Sequence, residues 1–157
     1  MTNGTLTCAA INNAGTLKMR FGNIVVMGNV TNQGNFLLAG NAALNVGGVW
    51  VNQGLVDIIH WEGTLPVNFQ NVGVVLDRSA LRIEPIIRNA DTVTIQMLGH
   101  AGHTYQLQRA DLSLANWQDV GVSVEGTGSG GVGVGLEWVD GAGLAERFYR
   151  VKVGLEP

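Results

Sequence analysis

The chain has few charged residues and a single cysteine, and both shortages limit its possible functions. Charged side chains make up only 13 % of the 157 residues, about half the usual share. Lysine and arginine number 9 against 12 for aspartate and glutamate, so no basic surface for nucleic acid is expected. With Cys8 alone, an internal disulfide and a cysteine-based zinc site are excluded. We expect Cys8 to be a small buried residue, with a crosslink between subunits as the alternative.

Long apolar runs are also missing, and so is a recognisable leader. No stretch is long and apolar enough to cross a membrane as a helix. Residues 1–4 lack a basic segment followed by an apolar one, so no signal peptide is visible. Residues 3–6 already look like the material that recurs further along. We therefore expect that the chain begins inside a longer repeat region.

Groups suited to catalysis or metal binding are equally scarce. The segment 1–76 contains four charged side chains: Lys18, Arg20, Asp57 and Glu62. No histidine lies near Cys8 in the sequence, and no Ser, His and Asp set stands out at a plausible spacing. His100 and His103 flank a predicted turn, but the nearest third ligand, Asp111, lies beyond a strand. We expect no catalytic residue, no metal site and no cofactor, and a protein that is not an enzyme.

The sequence is rich in glycine, with 23 residues, and in asparagine, and both recur in a repeat. The phrase Asn-x-Gly occurs four times between positions 12 and 76, with its glycines at positions 15, 34, 54 and 73. A nearly fixed period of about 20 residues is typical of a solenoid, in which each repeat forms one coil. The four phrases are Asn13–Gly15, Asn32–Gly34, Asn52–Gly54 and Asn71–Gly73.

Apolar residues keep step with this repeat and predict strands. Side chains two positions after each repeat glycine are apolar, as are those fifteen positions after the first three, and short alternating runs lie between them. We predict an all-β solenoid, a short parallel β-helix of 19- to 20-residue coils with two or three strands each, stacked about 4.8 Å apart. The predicted inward residues are Leu17, Phe36, Val56 and Val75 in one row and Val30, Val49 and Phe69 in another.

Stacked coils would place the repeat asparagines above one another at one corner. Their amides can then hydrogen-bond from coil to coil and to the turn backbone. A single Asn-x-Gly phrase also fits an ordinary hairpin in a meander, but four at a nearly constant spacing favour the parallel coil. We expect right-handed winding, as in most parallel crossovers. The expected turn ladder consists of Asn13, Gly15, Asn32, Gly34, Asn52, Gly54, Asn71 and Gly73.

One coil carries a group of ionisable side chains around an aromatic residue. Asp57, His60 and Glu62 lie close together in the sequence and surround Trp61. One interpretation is a small ligand or interface site with an aromatic platform, for a sugar or a metal ion. The other is a wide corner that turns His60 and Glu62 to solvent. Because side chains alternate between the faces of a strand, the three ionisable groups are not expected to converge.

After residue 76 the repeat stops and charge appears. Residues 77–85 predict a final strand that caps the solenoid and ends near Pro85. From Asp91 onward, five short runs with turn signals between them predict a small β-sandwich. The predicted domains are residues 1–88, the β-helix with its cap strand, and residues 89–157, the sandwich. The predicted strands of the sandwich are residues 92–98, 104–109, 117–124, 136–139 and 147–153.

The Asn-x-Gly coils resemble the β-helix repeats of large secreted bacterial surface proteins, of the filamentous-haemagglutinin and autotransporter-passenger kind. The second half carries a further pattern: Gly99, Gly102, Tyr105, Leu107, Asp111, Leu112, Trp117, Asp140 and residues 147–151. This pattern resembles a fibronectin-like module that follows repeat regions in such proteins, and the resemblance implies no catalytic residue. It also implies that Tyr105, Trp117, Trp138 and Tyr149 are mainly core aromatics, with a carbohydrate-stacking surface as the rival.

The repeat and the composition favour a structural role, and the resemblance implies a location outside the cell. The segment 1–76 is rich in asparagine and poor in charge, and a solenoid ends in unpaired strand edges unless it is capped. We expect a non-catalytic extracellular or cell-surface protein, a filament-forming subunit that assembles through open β-helix ends with itself or with further coils of a longer chain. The alternative is an adhesin or carbohydrate-binding fragment, in which Trp50, Trp61 and sandwich aromatics hold glycans. Neither a nucleic acid partner nor a membrane span is expected.

Overall fold

The computed structural model describes residues 4–111, 114–141 and 147–156, and most of them belong to strands or tight turns. Residues 1–3 and Leu112, both used in the sequence predictions, lie outside this part. The chain divides into two compact units, Met1–Ala80 and Leu81–Pro157. Among the described residues the helical structure is a 3-10 turn at Arg78–Ala80, and no helix is long and apolar enough to span a membrane. The all-β prediction is confirmed.

The first unit is a solenoid whose coils have three sides. Its strands are β1 (Thr5–Cys8), β2 (Ile11–Asn13), β3 (Thr16–Met19), β4 (Asn23–Val26), β5 (Val30–Asn32), β6 (Asn35–Leu38), β7 (Ala43–Val46), β8 (Trp50–Asn52), β9 (Leu55–Asp57), β10 (Phe69–Asn71) and β11 (Val74–Leu76). One parallel sheet has the strand order β1-β4-β7, a second β2-β5-β8-β10 and a third β3-β6-β9-β11, so successive coils add one strand per sheet. The predicted parallel stack of coils is confirmed.

The fourth coil departs from this pattern because it adds no strand to the first sheet. Residues 58–68 form a wide corner there, tied to the third coil by an isolated parallel bridge between Gly40 and Trp61. Gly40 N donates to His60 O at 2.8 Å, and Glu62 N donates to Gly40 O at 3.0 Å. The corner therefore continues the stack by hydrogen bonding even where the strand is missing.

The interior of the solenoid is a column of apolar side chains stacked in register. Leu17, Phe36, Val56 and Val75 are successive partners along the third sheet and contribute to one core. The two middle members, Phe36 and Val56, are completely buried. The prediction that these four residues face inward in one row is confirmed.

The second predicted row is wrong at one position. Val30 and Phe69 are the partners of Trp50, which is completely buried, and Val49 lies just before it. The cause is an insertion of one residue. Met19 and Leu38 are paired in the third sheet. Val26 and Val46, the next pair along the chain that is compared, lie in the first sheet and are one position further apart in the sequence. The additional residue lies in the corner 39–42 and moves the following inward position from 49 to 50.

The second unit consists of two facing antiparallel sheets. Its strands are β12 (Ile83–Arg88), β13 (Thr92–Gly99), β14 (His103–Asp111), β15 (Gln118–Asp119), β16 (Val124–Glu125), β17 (Val134–Gly141) and β18 (Arg147–Leu155). One sheet has the order β12-β13-β17, and in the other β14 pairs with β18 along its whole length and with the short β15 and β16. Ile95 and Trp138 from the first sheet share a core with Tyr105 and Leu107 from the second, which makes a small sandwich.

Two details of this unit differ from the sequence prediction. The strand predicted as the cap of the solenoid is β12, which pairs with β13, so the unit boundary falls after Ala80 and not after residue 88. An alternating strand carries no feature that selects between a parallel and an antiparallel partner. The single strand predicted at residues 117–124 is interrupted by Gly121, whose φ of 67° breaks it into β15 and β16.

Replacing Val56 by Asp tests the phase of the coils. The new carboxylate would be buried in the apolar column without a partner. We expect the free energy of unfolding to fall by more than about 3 kcal/mol, measured by chemical denaturation followed by circular dichroism. Val72→Asp, at an exposed bend of the same unit, is the control and should change stability by less than about 0.5 kcal/mol. Equal stability of the two variants would contradict the assigned phase.

Candidate functional site

The repeat asparagines form a continuous line of hydrogen bonds along one corner of the solenoid. The side-chain Nδ2 of each of the first three donates to the Oδ1 of the asparagine in the next coil. The distances are 2.7 Å for Asn13–Asn32, 2.8 Å for Asn32–Asn52 and 2.7 Å for Asn52–Asn71. Every amide donates in the same direction, from the earlier coil to the later one. This asparagine ladder therefore has an acceptor end at Asn13 and a donor end at Asn71.

Each amide of the asparagine ladder also holds the turn that follows it. Asn32 Nδ2 lies 3.1 Å from Gly34 O and 2.9 Å from Leu55 O in the next coil, and Asn52 makes the equivalent contacts. Asn32 and Asn52 are completely buried. Because a buried amide needs its partners, these bonds fix the phase of one coil on the next.

The repeat glycines lie where neighbouring coils approach most closely. A Cβ added to Gly34 would lie 2.1 Å from Gly15 O, one on Gly54 2.2 Å from Gly34 O, and one on Gly73 2.1 Å from Gly54 O. No side chain fits such a gap, so a preceding coil requires glycine at this position. A Cβ on Gly15 would meet no atom of the described residues within 4 Å.

Both ends of the solenoid expose part of the apolar column. Leu6, the partner of the buried Ile24, is 58 % exposed at the first end, and Phe69 and Val75 are only partly buried at the last. The strands β1, β2 and β3 are outermost in their sheets, and β10 and β11 are outermost at the other end. Within the described residues no strand pairs with these outer edges. The contacts that join the middle coils are therefore unmade at the two ends.

The four residues predicted as a possible ligand or interface site lie at or beside the wide corner and differ in burial. Asp57 is buried, and its Oδ1 accepts a hydrogen bond from the backbone N–H of Ile59 at 3.1 Å. Trp61 is 6 % exposed, and its Nε1 donates to Ala42 O at 2.7 Å. His60 is half-buried and Glu62 is exposed. Trp61 thus packs in the core and has no open face for a sugar ring.

A shallow cleft lies beside this corner. Asp77 accepts hydrogen bonds from the hydroxyl and the backbone N–H of Ser79, at 2.5 and 2.8 Å, and these bonds lower the pKa of Asp77. Arg78 Nε donates to Ile59 O at 3.3 Å. The described residues contain no cluster of three side chains suited to a metal ion. The cleft is lined by Ile58, Trp61, Glu62, Gly63, Asp77, Arg78 and Ser79.

The aromatic residues considered for glycan binding are mostly core residues. Trp50 in the solenoid and Tyr105 and Trp138 in the sandwich are buried. Trp50 packs between the rings of Phe36 and Phe69, with centroids 5.2 and 4.8 Å away. These rings stabilise the two cores and present no surface to a ligand.

The outer face of the β14–β18 sheet is the exception. Trp117 is half-buried, and the Arg150 guanidinium lies 4.1 Å from its ring centroid. Arg150 Nε donates to Gln108 Oε1 at 2.8 Å, and Gln108 Nε2 donates to Asp119 Oδ1 at 2.7 Å. Phe148 precedes Arg150 by two positions on the same strand and is 42 % exposed. This face combines exposed aromatic surface with planar polar groups.

A buried carboxylate organises one end of the sandwich. Asp140 lies 2.6 Å from Arg109 and 3.0 Å from Arg147, and it accepts a hydrogen bond of 3.0 Å from the Tyr149 hydroxyl. Arg147 also pairs with Asp111 at 3.0 Å. Burial is the main factor that raises the pKa of Tyr149; the bond to Asp140 adds to it, and Arg147 opposes it. One structural network thus joins four residues of the pattern that resembles a fibronectin-like module: Asp111, Asp140, Arg147 and Tyr149.

The two neighbouring histidines belong to the tight turn between β13 and β14. His100 and His103 are buried, and His100 N donates to the Tyr105 hydroxyl oxygen at 2.9 Å. A Cβ on Gly126 would lie 2.1 Å from His100 O, so the glycine-rich segment packs directly on this turn. Asp111, the third ligand considered from the sequence, is at the far end of β14 in the Asp140 network.

Pairs of polar side chains that join neighbouring coils outside the asparagine ladder were not predicted from the sequence. Gln33 Nε2 donates to Gln53 Oε1 at 3.2 Å, and Asn45 Nδ2 donates to Asn23 Oδ1 at 3.1 Å. The glutamines occupy the middle position of two successive Asn-x-Gly phrases, which is a signal that would have predicted their pairing. The spacing of the asparagine pair falls outside the repeat period, so the sequence offers no such signal.

Comparison with protein-family models, curated proteins and solved structures gives no match for this chain. Its function is therefore argued from geometry. In the first unit the relevant features are the asparagine ladder, the glycine contacts and the open ends. In the second unit they are the outer face of the β14–β18 sheet and the Asp140 network.

Asn52→Ala tests the contribution of the asparagine ladder to stability. The change removes the acceptor that Asn52 offers to Asn32 and the bonds that Asn52 Nδ2 donates to Asn71, Gly54 O and Val74 O. We expect a loss of about 2 kcal/mol in the free energy of unfolding, measured by urea denaturation. Asn12→Ala, at an exposed position of β2, is the control and should be nearly neutral. A neutral Asn52→Ala would show that the ladder does not hold the coils together.

Asp140→Ala tests the ion network of the sandwich. It leaves Arg109 and Arg147 without their shared carboxylate. We expect a loss of about 2–4 kcal/mol, below the value for a fully buried pair because Arg109 is partly exposed. Asp119→Ala, which removes an exposed carboxylate, should cost less than about 1 kcal/mol in the same denaturation experiment. Similar costs for both variants would contradict the organising role of Asp140.

Proposed function

We propose that this protein is a non-catalytic structural subunit, located outside the cell or on its surface, that forms filaments through the open ends of its β-solenoid. The observation that supports the proposal is the contrast between middle and end coils. The apolar column is fully buried at Phe36 and Val56 and exposed at Leu6. An unpaired strand edge is a template for another chain, and head-to-tail contacts that do not close produce filaments.

Little charge opposes such contacts. Solenoid ends and edge strands are normally protected by a capping segment or by charged side chains. Among the strands β1, β2 and β3, the one charged residue is Lys18. At the other end, β10 and β11 contain no charged residue. The outer strand edges are thus suited to contact with neutral, hydrogen-bonding surfaces, and the charges of the last coil, Glu62, Asp77 and Arg78, lie at or beside its wide corner.

The resemblance to filamentous-haemagglutinin and autotransporter repeats supports the extracellular part of the proposal. The regular coils and the asparagine ladder agree with a repeat region of this kind. Further coils of a longer parent chain are the alternative partner for the same ends. The proposal assigns no catalysis: Asp57 is buried while Glu62 is exposed, and the charges around Asp140 are paired with one another.

Electron microscopy and light scattering of the purified chain test the proposal. We expect ordered filaments above a critical concentration. Leu6→Glu should abolish them, because it places a charge on the exposed end of the column, whereas Val132→Glu, at an exposed loop of the second unit, should not. A wild-type chain that stays monomeric at all accessible concentrations would contradict the proposal.

A second candidate function is glycan binding by the outer face of the β14–β18 sheet. The exposed Phe148 beside the stacked pair of Trp117 and Arg150 favours it. A glycan array of the whole chain tests it, with Phe148→Ala as the variant that should lose binding and Phe21→Ala, an exposed phenylalanine of the solenoid, as the control. Binding by monodisperse protein, without filaments, would favour this candidate over assembly.

A further inference from the structure

The first coil carries a glycine that its own surroundings do not require. At Gly34, Gly54 and Gly73 the preceding coil leaves only 2.1–2.2 Å between an added Cβ and a carbonyl oxygen. At Gly15 a Cβ would meet open space among the described residues, and the φ of Gly15 is not among the positive values that favour glycine. A coil placed before Gly15 at the same spacing would make glycine necessary there too.

We propose that a second copy of this chain supplies that coil, with the last coil of one copy stacked on the first coil of the next. Asn71 and Gly73 of one copy then lie against Asn13 and Gly15 of its neighbour. This inference rests on the proposed function, since it specifies the surfaces that assembly would use. The joint repeats the coil-to-coil interface that already occurs three times along the asparagine ladder.

The asparagine ladder gives the joint its direction. Within the described residues Asn13 Oδ1 accepts a hydrogen bond from Gly15 N and none from another coil. At the other end Asn71 Nδ2 donates to Gly73 O and, in the part of the chain that the structure describes, to no later coil. A donor end therefore meets an acceptor end only in head-to-tail order. Two first coils would bring acceptor against acceptor, and two last coils would bring donor against donor.

The apolar rows match in the same register. Phe69 and Ile11 are the last and first members of one inward row, and Val75 and Leu17 are those of the other. All four are partly buried in the single chain. Stacking in this register would cover them as the middle coils are covered. Because the fourth coil has no strand in the first sheet, the joint contains two pairs of strands, β10 with β2 and β11 with β3.

Gly15→Ala tests this arrangement in the full chain. The new methyl group has room within one chain but would lie about 2 Å from Gly73 O of the preceding copy, as the equivalent distances within the chain indicate. We expect unchanged thermal unfolding of the dilute protein and a critical concentration for assembly raised at least about tenfold. Gly135→Ala, which also has open space and no positive φ, is the control and should assemble like the wild type.

A mixing experiment tests the head-to-tail order. Asn71→Asp keeps an acceptor for Asn52 but cannot donate to Asn13 of the next copy, so it blocks only the last coil. Gly15→Ala blocks only the first coil. In sedimentation velocity we expect each variant to be monomeric and an equimolar mixture to form discrete dimers.

The outcomes separate this inference from the proposed function. If the wild type forms filaments and Gly15→Ala forms them at the same concentration, the inference is wrong and the proposed function stands. Dimers of Asn71→Asp alone would show that first coils meet each other and would also overturn the inference. A wild-type chain that never assembles overturns both.

Discussion

Hydrogen bonding between successive coils is the interaction on which the solenoid depends. Such short strands have no stability of their own, and their backbone groups are satisfied only by the coils before and after them. The asparagine ladder and the glycine contacts set the spacing of the same interface, with Asn52 and Gly54 as their central members. Each coil is therefore stable as a member of a stack, and among the described residues the strands of the first and last coils pair on one side only.

The second unit buries its apolar residues without a repeating partner. Its two sheets face each other, so residues such as Ile95 and Leu107 cover one another without a repeating partner. Its geometry comes from specific contacts: the Asp140 network at one end and the Tyr105 hydroxyl bond at the β13–β14 turn. Because its core is covered from both sides, we assign the proposed filament formation to the solenoid.

Features of the fold that depend on periodicity could be predicted from the sequence, and features that depend on local geometry could not. Four evenly spaced glycines and the row beginning at Leu17 were sufficient for the parallel coil. The residue inserted near Gly40 shows in the sequence only as the longer step between Gly34 and Gly54, which does not say where in the coil it lies, and it moved the inward position from Val49 to Trp50.

Tertiary contacts decided the remaining differences. Trp61 could not be assigned from the sequence, because a tryptophan beside ionisable residues fits both a platform and a core. Its bond to Ala42 O shows that it packs inward. The partner of β12 likewise depended on contacts that an alternating pattern does not specify.

Fibre diffraction from oriented assemblies of the wild-type chain tests the central claim most directly, because it measures the stacking repeat itself. If the coil-to-coil interface continues from one copy to the next, a reflection near 4.8 Å should lie along the fibre axis, with a subunit repeat of about 19 Å from four stacked coils. A strand spacing perpendicular to the fibre axis, or an axial repeat unrelated to the coil spacing, would contradict the claim.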